Sequence, residues 1–460
     1  MGDRLRRGLS GFSTAQALVC VLVLAAVLRV TLALLTPPLF AADEAGHLLY
    51  IHQVAVGHHL PIQTLDGRWA NANGAEDFYH PPLYYLLVAP LYAVIFPSHL
   101  ALYAVRFVDV ILGLALVVVV HSFTRRHFGD LRWAAPVAAL LVAVLPTMVG
   151  VSSSVNNDAL SPLLITMVTA ELCRPLVTGR VRVRELALVS LLFGAALYTK
   201  NSALVLVPAL LLWGPVVFRE DRRRWPMGLV PAVAGLLCIV PWWLLRNQPA
   251  YGSLLAVDLN WGLRGGPLLT RLVATLLYMN QTFWTALGRS VEIALPYWTG
   301  GLFTLVLYAA ARHLIRNRRR LTDVQRRVLL LVLVPLPVAF LQAIYYGVTW
   351  GFGQGRYLYP AVLGIAVVLA VGFTQRVSVR QRRARLALVS AVVPFWTFFL
   401  LGVLLPGYAS VSVESTVGSL SGVPPFRTGD LDAWVFHRTA PLRAEDSCRS
   451  MTHSPLSPAC

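Results

Sequence analysis

Asp43 and Glu44 are the first residues in this chain equipped for chemistry, because a carboxylate at the edge of an apolar stretch can act as general base for a hydroxyl. A short helical pattern runs on through His47 and Tyr50, which sets Asp43 and His47 one turn apart on one face. The same spacing suits Asp43 as a helix cap and Glu44 as a favourable charge at the helix N-terminus, roles compatible with catalysis. His80 precedes the pair Pro81 and Pro82 and then Leu83, Tyr84 and Tyr85. The prolines hold His80 extended at a helix start, where it could donate to a phosphate or orient a carboxylate. Asn156, Asn157 and Asp158 open another helix, as capping residues or as site residues. Lys200 is the one lysine in a chain whose other basic residues are all arginine, a candidate phosphate contact or a snorkelling helix-end cation. Gly351, Gly353 and Gly355 surround Gln354 and precede Arg356, so backbone amides and a forked guanidinium could meet an anion there. Arg246 and Asn247, behind Trp242 and Trp243, offer a further cation at an aromatic belt. The Asp43-to-His47 stretch reads DExxH, not the HExxH of zinc proteases, and no divalent metal is expected.

These residues must be positioned by membrane helices. With 57% hydrophobic and 13% charged residues over 460 positions and a mean hydropathy of +0.65, the chain carries more apolar surface than a soluble core hides. A net charge of +18 would suit nucleic acid, but the arginines sit in short loops between apolar runs, where they set topology. Nucleic acid is therefore not an expected partner. Clusters at 4–7, 125–132, 174–184, 219–224, 312–327 and 376–385 take about two-thirds of the 39 basic residues, which places those loops on the cytoplasmic side. Nearly all the candidate chemistry then faces the other way. Cys20, Cys173 and Cys238 read as small apolar residues, while Cys448 and Cys460 share an outer tail where a disulfide is possible.

The pattern predicts an all-α polytopic membrane protein with about eleven spans: 16–36, 101–123, 133–152, 158–175, 185–200, 202–218, 226–246, 291–313, 327–347, 356–374 and 385–406. The N-terminus (1–15) is expected inside, the first span being an uncleaved signal anchor, and the C-terminus outside. Residues 82–96 are short, contain Pro90 and lack a basic flank, and read as an interfacial helix within a first outer loop over 37–100. A second large outer loop covers 246–290, with Trp261, Phe283 and Trp284 suited to an amphipathic stretch at the membrane surface. A last cytoplasmic loop and final helix occupy 376–406, and a flexible outer tail follows over 407–460. Arg29 and Arg106 fall within apolar segments, with Asp109 available to neutralise one of them, and these three are expected to be structural.

Taken in order, the acidic pair after the first span, HPPLYY, an outer NDA, a TK between spans, PWW followed by RN and YG, and QGRYLYP resemble the GT-C superfamily of membrane glycosyltransferases. The likeness covers roughly residues 15–375 and is strongest to the branch using polyprenyl-phosphate sugars, which includes protein O-mannosyltransferases and aminoarabinose transferases, and to its bacterial members. It implies a catalytic module over 16–375 in which Asp43 or Glu44 is the base, His80 lies near the donor phosphate, and no cofactor is required. Tyr84 and Tyr85 replace the GK that follows HPPL in mannosyltransferases, which argues against protein O-mannosylation. The implied activity is inverting transfer from a polyprenyl-phosphate sugar to an acceptor hydroxyl of a glycan, lipid, peptide or natural product, at the outer face of the cell membrane. His47, Asn157, Asp158, Lys200, Arg246, Gln354 and Arg356 complete the expected donor site. The arginine bias suggests a GC-rich genome, with mannosyl or arabinosyl polyprenyl phosphate as first candidate donors. A flippase of lipid-linked sugars is the main rival, disfavoured because no repeat halves are visible and the polar residues gather on one face. A pyrophosphate-donor glycan ligase and a non-catalytic scaffold are the others.

Overall fold

A computed structural model describes residues 13–39, 41–62, 78–256, 265–287, 293–351, 353–375, 391–399 and 402. The arginines at 4–7 and 376–385, Trp261, the 407–460 tail and both of its cysteines lie outside them. The described chain is almost wholly helical. Its only strands are the antiparallel two-residue pair β1 (Ala286–Leu287) and β2 (Ile293–Ala294).

In chain order the helices are α1 (Thr14–Leu35), α2 (Glu44–Ala55), α3 (Leu83–Ile95), α4 (Leu100–Phe128), α5 (Ala134–Val144), α6 (Pro146–Val151), α7 (Leu160–Thr178) and α8 (Val183–Thr199). They continue with α9 (Val207–Val217), α10 (Leu229–Trp242), α11 (Leu268–Trp284), α12 (Tyr297–Arg316), α13 (Asp323–Leu333), α14 (Pro335–Trp350), α15 (Val362–Thr374) and α16 (Val392–Phe399). Six helical stretches among the described residues are long and apolar enough to cross a membrane: 14–35, 100–128, 160–178, 222–251, 323–350 and 355–374. Each coincides with an expected span. Two expected spans are remodelled by their own sequence: Pro146 cannot donate to the preceding turn, so 133–152 breaks into α5 and α6, and 202–218 begins as the 3₁₀ turn Asn201–Leu206. The interfacial reading of 82–96 corresponds to the 13-residue α3, entered through Pro82.

Small residues let the helices approach. Ala134, Ala138 and Ala139 of α5 meet Ala366 and Ala370 of α15 in the main core, where helix–helix association in lipid relies on close packing more than on apolar burial. α15 is the most enclosed of the spans. Within the expected outer loop 246–290 the chain forms a helix packed into the bundle, where a surface stretch is expected. α11 is a 17-residue amphipathic helix that buries Thr275, Met279 and Gln281 to Trp284 against α12, α14 and the 3₁₀ turn Gly355–Ala361, and exposes Leu268, Leu269, Val273 and Leu277.

The bundle has two chemically different ends. At one, Gln325 donates to Asp130 at 2.7 Å, Arg219 faces Asp323 at 3.9 Å and Arg327 reaches the carbonyl of Val216. These contacts gather three of the arginine-rich loops. At the other, the ends of α1, α8 and α14 and the beginnings of α4 and α7 converge with α2.

Candidate active site

Asp43 sits at the corner between α1 and α2 with φ +60°, a left-handed conformation uncommon outside glycine, though Asp adopts it more readily than most residues. Arg106 braces this corner. Its guanidinium, fully buried in α4, binds Glu44 with Nε and Nη2, each at 2.7 Å, and donates to the carbonyls of Ala33, Thr36 and Pro37. One arginine thus ties the last turn of α1 to the first residue of α2, on either side of Asp43. The expectation that Asp109 neutralises an intramembrane arginine is overturned. Glu44 neutralises Arg106, while Asp109 accepts from the Tyr84 hydroxyl at 2.6 Å and from the backbone of Asn156. Arg29 is satisfied by Ser152 and by the carbonyls of Ala25, Val142 and Ala143.

The capping expectation for Asp43 also fails, because its side chain makes no cap hydrogen bond. It points instead at Arg356, whose Nη2 lies 2.5 Å from Oδ2. Arg356 Nη1 faces Asp158 Oδ2 at 3.7 Å, and Lys200 Nζ donates to Asp158 Oδ1 at 2.6 Å. Two carboxylates and two cations, drawn from four separate stretches of chain, therefore form one alternating chain of charge. Local structure explains each placement. Asn156 Oδ1 accepts from the backbone of Asp158 at 2.8 Å in an Asx turn, so Asn156 does the turning and the Asp158 carboxylate is left for Lys200. Lys200 is extended at the end of α8, where the helix stops. Arg356 is carried by the Gly355–Ala361 turn, which presses against α11, with Gly355 N–H donating to Thr282 Oγ1 at 2.7 Å.

Aromatic and amide groups line the adjoining wall. His47 Nδ1 meets the Tyr85 hydroxyl at 2.8 Å, the His47 and His80 rings stack at 6.0 Å, and Tyr50 stacks on Tyr85 at 3.7 Å. Asn157 Nδ2 reaches the same Tyr85 hydroxyl at 3.5 Å, while its Oδ1 is buried without a partner. Gln354 meets the Tyr278 hydroxyl of α11. Burial would raise the Asp43 carboxyl, but Arg356, His47 and Lys200 outweigh it and hold it at about 2. Asp158 is lowered as well, its burial outweighed by Lys200 and Arg356. Burial, helped by Lys200, brings His80 down to about 3 against the opposing pull of Asp158 and Asp43, so it stays neutral at physiological pH.

Of the sequence candidates, Asp43, His47, His80, Asn157, Asp158, Lys200 and Arg356 thus come together. Glu44 is adjacent but fully engaged by Arg106 and by the Val155 amide. Arg246 stands on another wall, stacked over Trp242 at 4.3 Å and donating to the carbonyls of Pro61 and Phe78, where it fastens the first outer loop. Tyr278 and the anchoring role of Arg106 were not anticipated. The only sequence signal for Arg106 was an arginine in an apolar helix, and Tyr278 had none. Among the described residues no three His, Cys, Asp or Glu side chains are placed to hold a metal ion together, and the two carboxylates of the cluster are paired with Arg356 and Lys200.

One segment of the chain matches a family model, and its fold is similar to that of solved structures. Residues 79–244 match the family described as dolichyl-phosphate-mannose-protein mannosyltransferase, a segment that holds His80, Asn157, Asp158 and Lys200. In structure the chain is similar to ArnT from Cupriavidus metallidurans bound to undecaprenyl phosphate (TM-score 0.53, 16% identity, 81% of this chain and 63% of that one). It is also similar to the oligosaccharyltransferase AglB from Archaeoglobus fulgidus in complex with an inhibitory peptide and a dolichol-phosphate (TM-score 0.54, 13% identity, 92% of this chain and 60% of that one). The chain therefore spans a little under two-thirds of the length of these structures. No curated protein matches it in sequence.

Proposed function

We propose that the protein transfers a sugar from a polyprenyl-phosphate donor to an acceptor hydroxyl at the extracytoplasmic face, with inversion at the anomeric carbon. The observation that carries this reading is the convergence of Asp43, Asp158, Lys200 and Arg356 at the end of the bundle opposite the arginine-rich loops. A lipid-anchored donor can bring its phosphate to such an end, where the fixed cations would meet it. The lipid phosphates in ArnT and AglB, on the same fold, support a donor of this class.

In the donor the phosphate is a diester with one negative charge. Arg356 and Lys200 hold it, and Asp43 takes the proton of the acceptor hydroxyl as its oxygen attacks the anomeric carbon. The bond from that carbon to the phosphate oxygen breaks on the opposite side, and the departing lipid phosphate gains a second negative charge. Cations fixed beside it before reaction stabilise that developing charge at no reorganisation cost. Glu44 is unsuited to the base role because both oxygens are bound to Arg106. His80, neutral beside the cluster, contributes a hydrogen bond without repelling either partner. The acceptor is a hydroxyl-bearing glycan, lipid, peptide or natural product.

The test is transfer of radiolabelled sugar from polyprenyl-phosphate mannose and arabinose into membrane products. Asp43→Asn should lower the rate by about 10²- to 10⁴-fold, the usual contribution of a positioned base. Full activity in that variant would sink the assignment. Release of a lipid pyrophosphate in place of a monophosphate would redirect it to a ligase.

A further inference from the structure

The residues assigned to the donor phosphate are not waiting for it. Arg356, nine-tenths buried, already has an anion within 2.5 Å, and that anion is the proposed base. Lys200 is likewise held by Asp158. A carboxylate locked in such a pair is a poor proton acceptor, since the guanidinium stabilises the very form that must take up the proton. A guanidinium locked in the same pair is a poor phosphate ligand. The resting arrangement therefore disarms both partners at once.

We infer that donor binding and base activation are one exchange: the donor phosphate replaces the Asp43 carboxylate on Arg356, and the displaced carboxylate becomes the base. This inference rests on the reading of the site as a lipid-phosphate transferase. Three features of the geometry make the exchange feasible. The two anions are equivalent in charge, one for the carboxylate and one for the diester, so Arg356 exchanges one monoanion for another, and the displaced carboxylate, left without its cation, regains its basicity. Arg356 Nε is buried without a partner, so a phosphate finds a donor that the carboxylate does not use. Asp43 is the most exposed of the four, with 28% of its side chain accessible against 9% for Arg356 and Asp158, and can swing away while Arg106 keeps its backbone in place.

The cycle also closes. After transfer Asp43 carries the acceptor's proton and cannot return to Arg356 while protonated. Loss of that proton to water restores the carboxylate, which then competes for Arg356 with the product phosphate and favours its release. Asp158 differs in role, because it keeps Lys200 and the second face of Arg356 aligned throughout. The groups facing Asp43 are Arg356, His47, Lys200 and, across the wall, His80.

The exchange makes a prediction opposite to that for an ordinary site residue. Removing Asp43 should strengthen phosphate binding. Undecaprenyl phosphate binding to detergent-purified full chain is measured for wild type, Asp43→Asn and Asp43→Ala, with Arg356→Gln for comparison. Both Asp43 variants should bind about ten-fold or more tightly than wild type, Arg356→Gln more weakly, and residual transfer by Asp43→Asn should show a lowered KM together with its lowered kcat. Folding is checked by monodisperse elution and unchanged helicity. Equal or weaker binding by both folded Asp43 variants, with wild type binding normally, overturns the exchange and leaves the transferase reading intact. Wild type that fails to bind undecaprenyl phosphate overturns both.

Discussion

Asp43 illustrates how much of this site is decided at a single residue. Its backbone is in a left-handed conformation, its side chain is paired across more than 300 residues of sequence, and its carboxyl is held at about 2. A depressed carboxyl pKa contributes stability that is fully present above the ordinary value near 4 and is lost as pH falls through about 2. His80, depressed to about 3, acts with the same sign over a higher window: its contribution is complete above its ordinary value near 6.5 and disappears as pH falls towards 3. Thermal stability in detergent should therefore decline from about pH 6.5 downward, and His80→Asn should flatten the upper part of that decline. A curve unchanged by the substitution would mean that the His80 ring titrates in the folded protein much as it does in water. The acid limb of kcat/KM, which reports the free enzyme, should not appear above pH 4 on account of Asp43, whereas the limb of kcat should lie higher if the donor has removed Arg356 from it.

At the scale of elements, the site depends on a turn pressed into a helix. Gly355 abuts the backbone of Met279 and Phe283 on α11, leaving no space for a β-carbon, and its amide is fixed by Thr282. Gly355→Ala would push the turn, and Arg356 with it, away from Asp43. Overpacking of this kind typically costs about 1–3 kcal/mol. The expected outcome is a folded protein with at least ten-fold weaker transfer and weaker undecaprenyl phosphate binding, and wild-type values for both would show that the turn can yield without moving the guanidinium. The α1–α2 corner is the matching support on the other side of the pair. Arg106 holds it with five hydrogen bonds, and breaking a buried pair such as Arg106–Glu44 leaves a charge uncompensated where water does not reach.

For the whole molecule, the segregation of charge into two ends is the feature from which function follows. Three arginine-rich loops meet at one end, while the other gathers carboxylates, histidines and a few fixed cations. In a chain freed of its native cysteines, His99→Cys should react with a membrane-impermeant thiol reagent in intact cells and Arg222→Cys only after permeabilisation. The reverse pattern would place the site on the cytoplasmic side and remove the extracytoplasmic reading.

Much of this was legible in the sequence because membranes simplify what a helix can be. Apolar length gave the spans that the structure contains, and Pro146 and Pro82 marked the break in one helix and the start of another. Asp43, His80, Asp158, Lys200 and Arg356 stood out as polar residues at the ends of apolar runs. What sequence could not assign was partnership. Asp43 and Glu44 are neighbours with the same chemistry, and only the approach of α4 hands Glu44 to Arg106 while leaving Asp43 for Arg356. Asp109, three residues from Arg106 on the same helix, looked the nearer partner and is instead bound to Tyr84. Arg246 and Arg356 were equivalent candidates until folding set one over Trp242 and the other between two carboxylates. Hydropathy acts locally along the chain, so composition alone determined that this is a multi-pass helical protein with its chemistry gathered at helix ends. An ion pair is decided by distances of a few ångströms between residues hundreds of positions apart, and those exist only once the helices have packed.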